Sequence, residues 1–308
     1  MEFIKGHMGG NQIILINGDE INPGEELKTA LKALDSKSIG GHQAGIIGKF
    51  RDGVLPVKIV RYSWRDFIPA CGGLTQVLGV ALIEGGAAER YGITVKQSPL
   101  KVTLGFDCGP VPLEIHFDNK GVKKVETDLS SFIGECEKEG IEVVNLDGFK
   151  AYKSGNFFVV DGDAIGKAYP DSNFHIMDDE TKKIFNKVQK QFQQKIGDET
   201  WNAALYDFYS SNQADVRVLF PHRLSMGHVE TACGTGSIAL ALALVKLANF
   251  RPYVEDSVVT LLFETGGDNI LGGDEITTVK ITEESGKIVK AVFSHSVVEM
   301  IAKGELYI

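Results

Sequence analysis

Four things are missing from this 308-residue sequence: a basic run, a long apolar stretch, a Cys-x-x-Cys pair and a flexible linker. Each absence removes a class of protein. The 32 lysines and arginines are outnumbered by 41 acidic residues, for a net charge of −9. With no cluster of basic residues to track a phosphate backbone or an anionic lipid surface, neither nucleic acid nor a membrane is expected as a partner. The longest apolar run, Ile238 to Leu247, contains Lys246 and is about half of the roughly 20 residues that span a bilayer. Near the start, Ile13 to Ile16 is too short for a secretory signal, so a cytoplasmic location is expected. The four cysteines, at positions 71, 108, 136 and 233, form no dense framework, which points to thiols in a reducing compartment. His7, His42, His222, His228 and His295 show no paired spacing of ligand type, and no metal is expected. Gly234 to Ser237 is glycine-rich but lacks the lysine of a phosphate loop, which argues against nucleotide binding.

What is present is enough apolar material, 43% of residues, for two modest cores. Asn11 to Asn17 reads as a strand and Glu25 to Leu34 as a helix. Further strands are expected at Gly45 to Phe50, Val57 to Trp64, Lys101 to Phe106, Leu113 to Phe117 and Val122 to Leu129, with Asp118 to Gly121 as a hairpin turn. The second half repeats the pattern, with strands at Phe157 to Asp161, Asn173 to Met177, Val216 to Phe220, Val258 to Glu264, Thr277 to Thr282 and Lys287 to Ser294. Amphipathic helices are expected at Asp179 to Gln194 and Asp198 to Ala214.

Two segments stand apart. Gly72 to Gly86 and Ile238 to Ala248 are apolar on nearly every side, and a helix without a polar face must be buried all round. Each follows a cysteine and glycines, Cys71-Gly72-Gly73 and Cys233-Gly234-Thr235-Gly236. The halves therefore read as degenerate copies of one unit. The expected fold is α+β, with two pseudo-symmetric domains, each a curved, mostly antiparallel sheet wrapped around a central helix. Domain limits are expected at 1–130 plus 297–308 and 131–296, with the boundary in the polar stretch Asp128 to Gly140.

A cysteine at the start of a buried helix meets unpaired N–H groups and the positive end of the helix dipole, which lower its pKa from about 8.5 and favour a thiolate. Such a group is a base. The glycines beside it let a carboxylate approach the backbone amides. Two of these arrangements aimed at one substrate suit inversion at an α-carbon: one thiolate removes the proton and the opposite thiol delivers another. No cofactor is required. Cys108, ahead of Gly109-Pro110, and Cys136, among charged residues, lack that context and read as structural or incidental.

The motifs extend the case. Lys5 to Ile13 resembles the His-x-x-Gly-Asn-Asp-Phe opening of the diaminopimelate epimerases, whose wider fold includes proline racemases and histidine racemases that work without pyridoxal phosphate. Ala70-Cys71-Gly72-Gly73 is similar to that family's Met-Cys-Gly-Asn-Gly, Ser154 to Phe158 to its Gly-Asn-Pro-His, and Ser172-Asn173-Phe174 to its Thr-Asn-Val. Glu230 to Gly236 is the strongest match, and Thr265 to Asp268 resembles a later Pro-Gly-Gly turn. The resemblance implies Cys71 and Cys233 as catalytic residues, and Asn11, Gly72, Gly73, Asn156, Asn173, Gly234 and Thr235 as substrate-binding residues. His228 is a further candidate for orienting the substrate.

The departures narrow the substrate. Ser225-Met226 stands where diaminopimelate epimerases carry a Glu-Arg pair for the far end of their substrate. Tyr62 replaces an asparagine and Phe158 a histidine, which implies a more apolar pocket. A second zwitterionic centre without partners costs several kcal/mol to bury. A smaller or aromatic amino acid, histidine among them, is therefore expected in place of diaminopimelate. Two rivals keep the fold: diaminopimelate epimerase proper, and proton-shuttling isomerisation of an unsaturated di- or tricarboxylate, for which Arg61, Arg65 and Arg223 are available. A third is a binding protein that only holds an amino-acid carboxylate. Oligomeric state is open, a homodimer included.

Overall fold

The computed structural model describes residues 1–197, 200, 202–208, 213–222, 229–246, 253–285 and 287–307, with the backbone alone for 135–139 and 253–254. Two compact units divide the chain, Met1–Ser131 with Ser294–Ile308, and Phe132–Phe293. The first begins with β1 (Glu2–Met8), β2 (Asn11–Asn17), α1 (Glu26–Leu34), β3 (Gln43–Ile47), β4 (Val54–Arg61) and β5 (Asp66–Ile68). It continues with α2 (Gly72–Ile83), α3 (Ala87–Arg90), β6 (Leu100–Phe106), β7 (Gly109–Asp118) and β8 (Gly121–Asp128). After α4 (Ser130–Glu139), which starts at the boundary, come β9 (Ile141–Leu146), β10 (Phe149–Ser154), β11 (Phe157–Asp161), α5 (Gly162–Ala168) and α6 (Asp179–Ile196). The second unit is completed by β12 (Asn202–Asp207), β13 (Val216–Leu219), α7 (Gly234–Lys246), β14 (Tyr253–Glu255), β15 (Val258–Thr265), β16 (Glu275–Glu284) and β17 (Lys287–His295). A last strand, β18 (Val298–Glu305), returns to the first unit.

The fold is α+β, and both units follow one plan. In the first, β1 and β2 form an antiparallel hairpin, β3 joins β2 in parallel, β4 pairs antiparallel with β3, β6 joins β4 in parallel, and β7 pairs antiparallel with β6. In the second, β10, β11, β12, β13, β15 and β16 repeat those relations in the same order. A parallel neighbour needs a crossover, and both units use helices for it. The first crossover holds α1, or α5 and α6. The second holds α2, or α7, and in each case a cysteine stands just before that helix.

These second helices are the central ones. α2 packs against β1, β2, β3, β7, β8 and β18, and α7 against β10, β11, β12 and β16. Every residue from Gly72 to Leu82 is buried, as is every one from Gly236 to Leu244. Helices enclosed in this way have no use for a polar stripe, which explains why they are apolar on nearly every side. The buried Thr75 and Gln76 of α2 are bonded to Thr127, at 2.7 and 2.8 Å. The glycines of α2 cost about 1 kcal/mol each in helix propensity. Burial of its Leu and Val side chains, at about 1.5–3 kcal/mol apiece, offsets that.

The other crossover helices build separate cores. Ala30, Ala33 and Leu34 of α1 meet Ile14, Ile16, Ala44, Ile46 and Val60. In the second unit, Phe158 packs between Phe192 and Phe185 of α6 with the rings tilted, at centroid distances of 4.5 and 5.8 Å. Among the described residues, no helix is long and apolar enough to cross a membrane.

Two expected elements are corrected. The stretch Asp198 to Ala214 is not a helix where it is described: residues 202–207 are strand β12. Ala203 to Asp207 are buried on both faces, between a parallel and an antiparallel neighbour, so the polar alternation that marks a strand is gone. Asn173 to Met177 is a turn with one isolated bridge, from Ile176 to Ile270. Here the Asn173 side-chain oxygen accepts the His175 N–H at 3.1 Å, a local bond that competes with strand pairing.

Candidate active site

Cys71 occupies the N-cap of α2 with extended backbone, φ −153° and ψ 113°, and its sulfur accepts the Leu74 N–H at 3.4 Å. The thiol fills the place that Ser or Asp usually takes. Negative charge on sulfur strengthens such a bond. Beyond the sulfur runs a line of side chains. Gln43 Oε1 lies 3.1 Å from Cys71 Sγ, Asn11 Nδ2 lies 3.3 Å from that oxygen, and Asn11 Oδ1 lies 3.1 Å from His42 Nδ1. Asn11 and Gln43 are only 4% and 2% exposed, so both amides depend on these partners. Gly73 makes room for them: a Cβ there would sit 3.3 Å from Asn11 Nδ2 and 3.8 Å from the sulfur.

Cys233 stands just before α7, where its carbonyl accepts both the N–H and the hydroxyl of Ser237, at 2.9 and 2.7 Å. Its sulfur is 3.6 Å from Thr235 Oγ1. His222, Glu230 and Cys233 bring a ring nitrogen, a carboxylate oxygen and the sulfur within 4.8 Å of one another. The histidine and glutamate are each 4% exposed. His222 Nδ1 accepts the Ala203 N–H at 2.9 Å, so the proton of the neutral ring is on Nε2, which lies 3.4 Å from Glu230 Oε2. A metal on Nε2 needs a lone pair that this tautomer has given to a proton. The trio thus suits a hydrogen-bonded carboxylate beside a thiol.

The surroundings of the two thiols differ although their places in the plan match. β2 begins with Asn11, whereas β11 begins with Phe157. The Phe157 and Phe220 rings stand 5.7 and 6.0 Å from the His222 ring. A Cβ on Gly236 would come within 2.6 Å of Phe220 and 3.0 Å of Phe157. Two apolar rings, Phe220 and Phe157, therefore stand beside α7. Phe158, read from the sequence as lining the pocket, points to the opposite face of the strand, into the α6 core. Tyr62 likewise donates to Asp35 Oδ2 at 3.2 Å and packs with the α1 cluster.

The remaining predicted residues divide in two. Gly72 and Gly73 are buried in the first turn of α2, near Cys71 and Asn11, and Gly234 and Thr235 open α7 beside Cys233. Asn156 and Asn173 are exposed in turns. The loop of Asn173 carries His175, whose Nδ1 is 3.3 Å from Asp207 Oδ2. Asp207 is fully buried and held by two bonds from Arg217, at 3.0 and 2.8 Å. Cys108 is exposed in the β6–β7 turn. The Cys136 side chain, Arg223, Ser225, Met226 and His228 lie outside the described residues.

Gln43, His42, His222 and Glu230 received no role from the sequence. A glutamine that opens an apolar strand after Gly40-Gly41 looks like any surface residue until the strand is paired. His222 and Glu230 are eight residues apart and meet only because Phe220 and Glu230 bridge in both directions, at 3.2 and 3.0 Å.

No protein-family model matches this chain, and no curated protein matches it. Solved structures do. A phenazine biosynthesis protein of the PhzF family from Bacillus anthracis is similar over 100% of this chain and 99% of its own, with a TM-score of 0.65 and 12% identity. A hydroxyproline epimerase from Agrobacterium vitis, with trans-4-hydroxy-L-proline bound, covers 99% of this chain and 92% of its own, with a TM-score of 0.64 and 12% identity. A methylitaconate-delta-isomerase covers 99% and 94%, with a TM-score of 0.63 and 13% identity. This chain has the fold those proteins share.

Proposed function

We propose that this chain is a cofactor-independent isomerase that moves a proton at the α-carbon of an amino acid, with Cys71 and Cys233 as the acid–base pair. One observation carries the reading: each unit sets a half-buried thiol before its central helix, in the same crossover of the same strand plan. In the forward direction one thiolate takes the α-hydrogen and becomes a thiol, while the S–H of the other delivers its proton to the carbon and becomes a thiolate. Backbone N–H groups at Gly72, Gly73, Gly234 and Thr235 hold the substrate carboxylate and stabilise charge as the carbanion develops.

The similarity to a hydroxyproline epimerase supports the reaction class. Ser225-Met226 in place of a Glu-Arg pair favours a substrate without a second amino-carboxylate end, a smaller or aromatic amino acid such as histidine. In heavy water, solvent deuterium is expected at the α-position of the product. Screening the common L-amino acids by NMR for loss of the α-proton signal finds the substrate. Full racemisation by Cys71→Ser or Cys233→Ser would falsify the mechanism. Turnover of methylitaconate-type acids, with no amino acid exchanged, would replace it with the allylic isomerisation.

A further inference from the structure

We infer that His42 is a positioning residue for Cys71: through the side-chain amides of Asn11 and Gln43 it sets the direction of a hydrogen-bond chain, and so whether the sulfur is offered a donor or an acceptor. The inference rests on the reading of Cys71 as an acid–base group. His42 is exposed, Asn11 and Gln43 are buried, and Cys71 is half-buried, so the chain leads from solvent to the sulfur. Asn11 and Gln43 open the adjacent parallel strands β2 and β3, which explains how two amides come to lie in series.

The nitrogen and oxygen of an amide have the same shape, and only their partners tell them apart. The chain has two complete polarities. In one, Cys71 S–H and Asn11 Nδ2–H donate to Gln43 Oε1, and His42 Nδ1–H donates to Asn11 Oδ1. In the other, both amides are turned over: Asn11 Nδ2–H donates to His42 Nδ1, while Gln43 Nε2 gives one hydrogen to Asn11 Oδ1 and the other to a thiolate. Turning one amide alone sets like atoms against each other in a buried place, so the two move together.

A fifth group chooses between these states. The Gln12 N–H is aimed at His42 Nδ1 at 3.2 Å and can be accepted only while Nδ1 carries no proton. A neutral ring protonated on Nε2 therefore goes with the turned amides and the thiolate. A proton on Nδ1 reverses the chain, removes the Gln43 donor from the sulfur, which keeps only the Leu74 N–H, and leaves the Gln12 N–H facing another N–H.

Charged and titratable side chains also stand on the neighbouring strands. Arg61, opposite Gln43, lies over the Trp64 ring at 5.4 Å. Tyr62 donates to Asp35, and His7, opposite Gln12, lies 3.4 Å from Glu299.

The coupling has a sign that plain electrostatics does not share. A thiolate attracts charge and by Coulomb's law alone favours an imidazolium at His42; the amide chain makes the same thiolate favour the neutral ring. Coupling is reciprocal, so it can be read at the histidine. Titration of the 15N-labelled ring by NMR is expected to show the Nε2–H tautomer above the midpoint. In Cys71→Ala that midpoint should rise by about half a pH unit or more, the size one net hydrogen bond supports. A midpoint that stays overturns the inference, and so does one that falls while ultraviolet absorbance shows Cys71 to be a thiolate in the wild type. A fall with the sulfur still a thiol is the same coupling read from the first polarity. If Cys71→Ala does not fold, wild-type protein with its thiols blocked as methyl disulfides gives the same comparison. In Gln43→Met the effect of removing the thiolate should vanish, and a persisting shift means that the amides are not the route. None of these readings needs turnover, so a chain without racemase activity defeats the proposed function and not the coupling.

Discussion

A thiol at an N-cap does two jobs that can be separated by a single atom. Serine keeps the cap, since its hydroxyl accepts the Leu74 N–H as sulfur does, but it is a far weaker acid. Cys71→Ser is therefore expected to unfold within about 1 kcal/mol of the wild type in urea. Its α-proton exchange should fall by at least ~10²-fold. Equal losses of stability and exchange would mean that the sulfur serves packing alone.

Another residue reports on pH. His295 is buried in the first unit, and burial pushes its pKa down to about 4, against a hydrogen bond to the Val297 carbonyl that raises it and with a small further lowering from His7. Above the ordinary histidine pKa of about 6.5 neither folded nor unfolded chain carries the proton, so this group has no effect. Between that value and about 4 the unfolded chain takes up a proton that the folded one refuses, and stability falls; below it the loss levels off. The loss should be roughly 2–3 kcal/mol between pH 7.5 and 4.5. Urea titrations at both pH values, in wild type and His295→Gln, isolate it: the variant should lack that part of the slope.

At the scale of elements, the central helices depend on what their first turns leave out. Gly236→Ala gains up to ~1 kcal/mol in helix propensity. The added Cβ, 2.6 Å from the buried Phe220 ring, forces repacking that costs ~1–3 kcal/mol, so a net loss of stability is expected. Gly166→Ala in α5, where a Cβ meets nothing within 4 Å, should instead be neutral or stabilising. If both raise the urea midpoint, the fit around α7 is looser than described.

The same helices were the most legible part of the sequence. An all-apolar helix behind Cys-Gly is rare enough to be recognised twice, and its repetition announced the two-copy plan. β2 and β11 were equally plain, because runs such as Ile13 to Ile16 and Phe157 to Val160 are bounded by turn residues. β12 was not, because Ala203 to Tyr206 is apolar on both faces and its spacing mimics a helix. The candidate site was half legible. The cysteines and glycines show in sequence because helix starts are local. The Asn11–Gln43–His42 line and the His222–Glu230 pair exist only once strands far apart in the chain are paired, and a lone polar residue carries no local mark of that.

For the whole molecule, the return of β18 ties the end of the chain to its beginning. Met1 and Leu306 exchange backbone bonds at 3.2 and 2.7 Å, and β18 pairs along the length of β1. A chain that ends at Val297 loses that ladder and the Leu306 side chain from the α1 core, and exposes β1 as an edge. Calorimetry should show the first unit melting earlier, with aggregation by gel filtration. An unchanged trace would mean that β18 only decorates the sheet.

The two copies of the plan did not keep the same lining. Amides flank one sulfur; aromatic rings and a histidine–glutamate pair flank the other. For a racemase whose mirror-image substrates have equal free energy, detailed balance forces kcat/KM to be the same for both hands, whatever the protein does. Unequal flanks therefore leave their trace in kcat and KM taken separately: one hand should bind tighter and turn over more slowly, by equal factors.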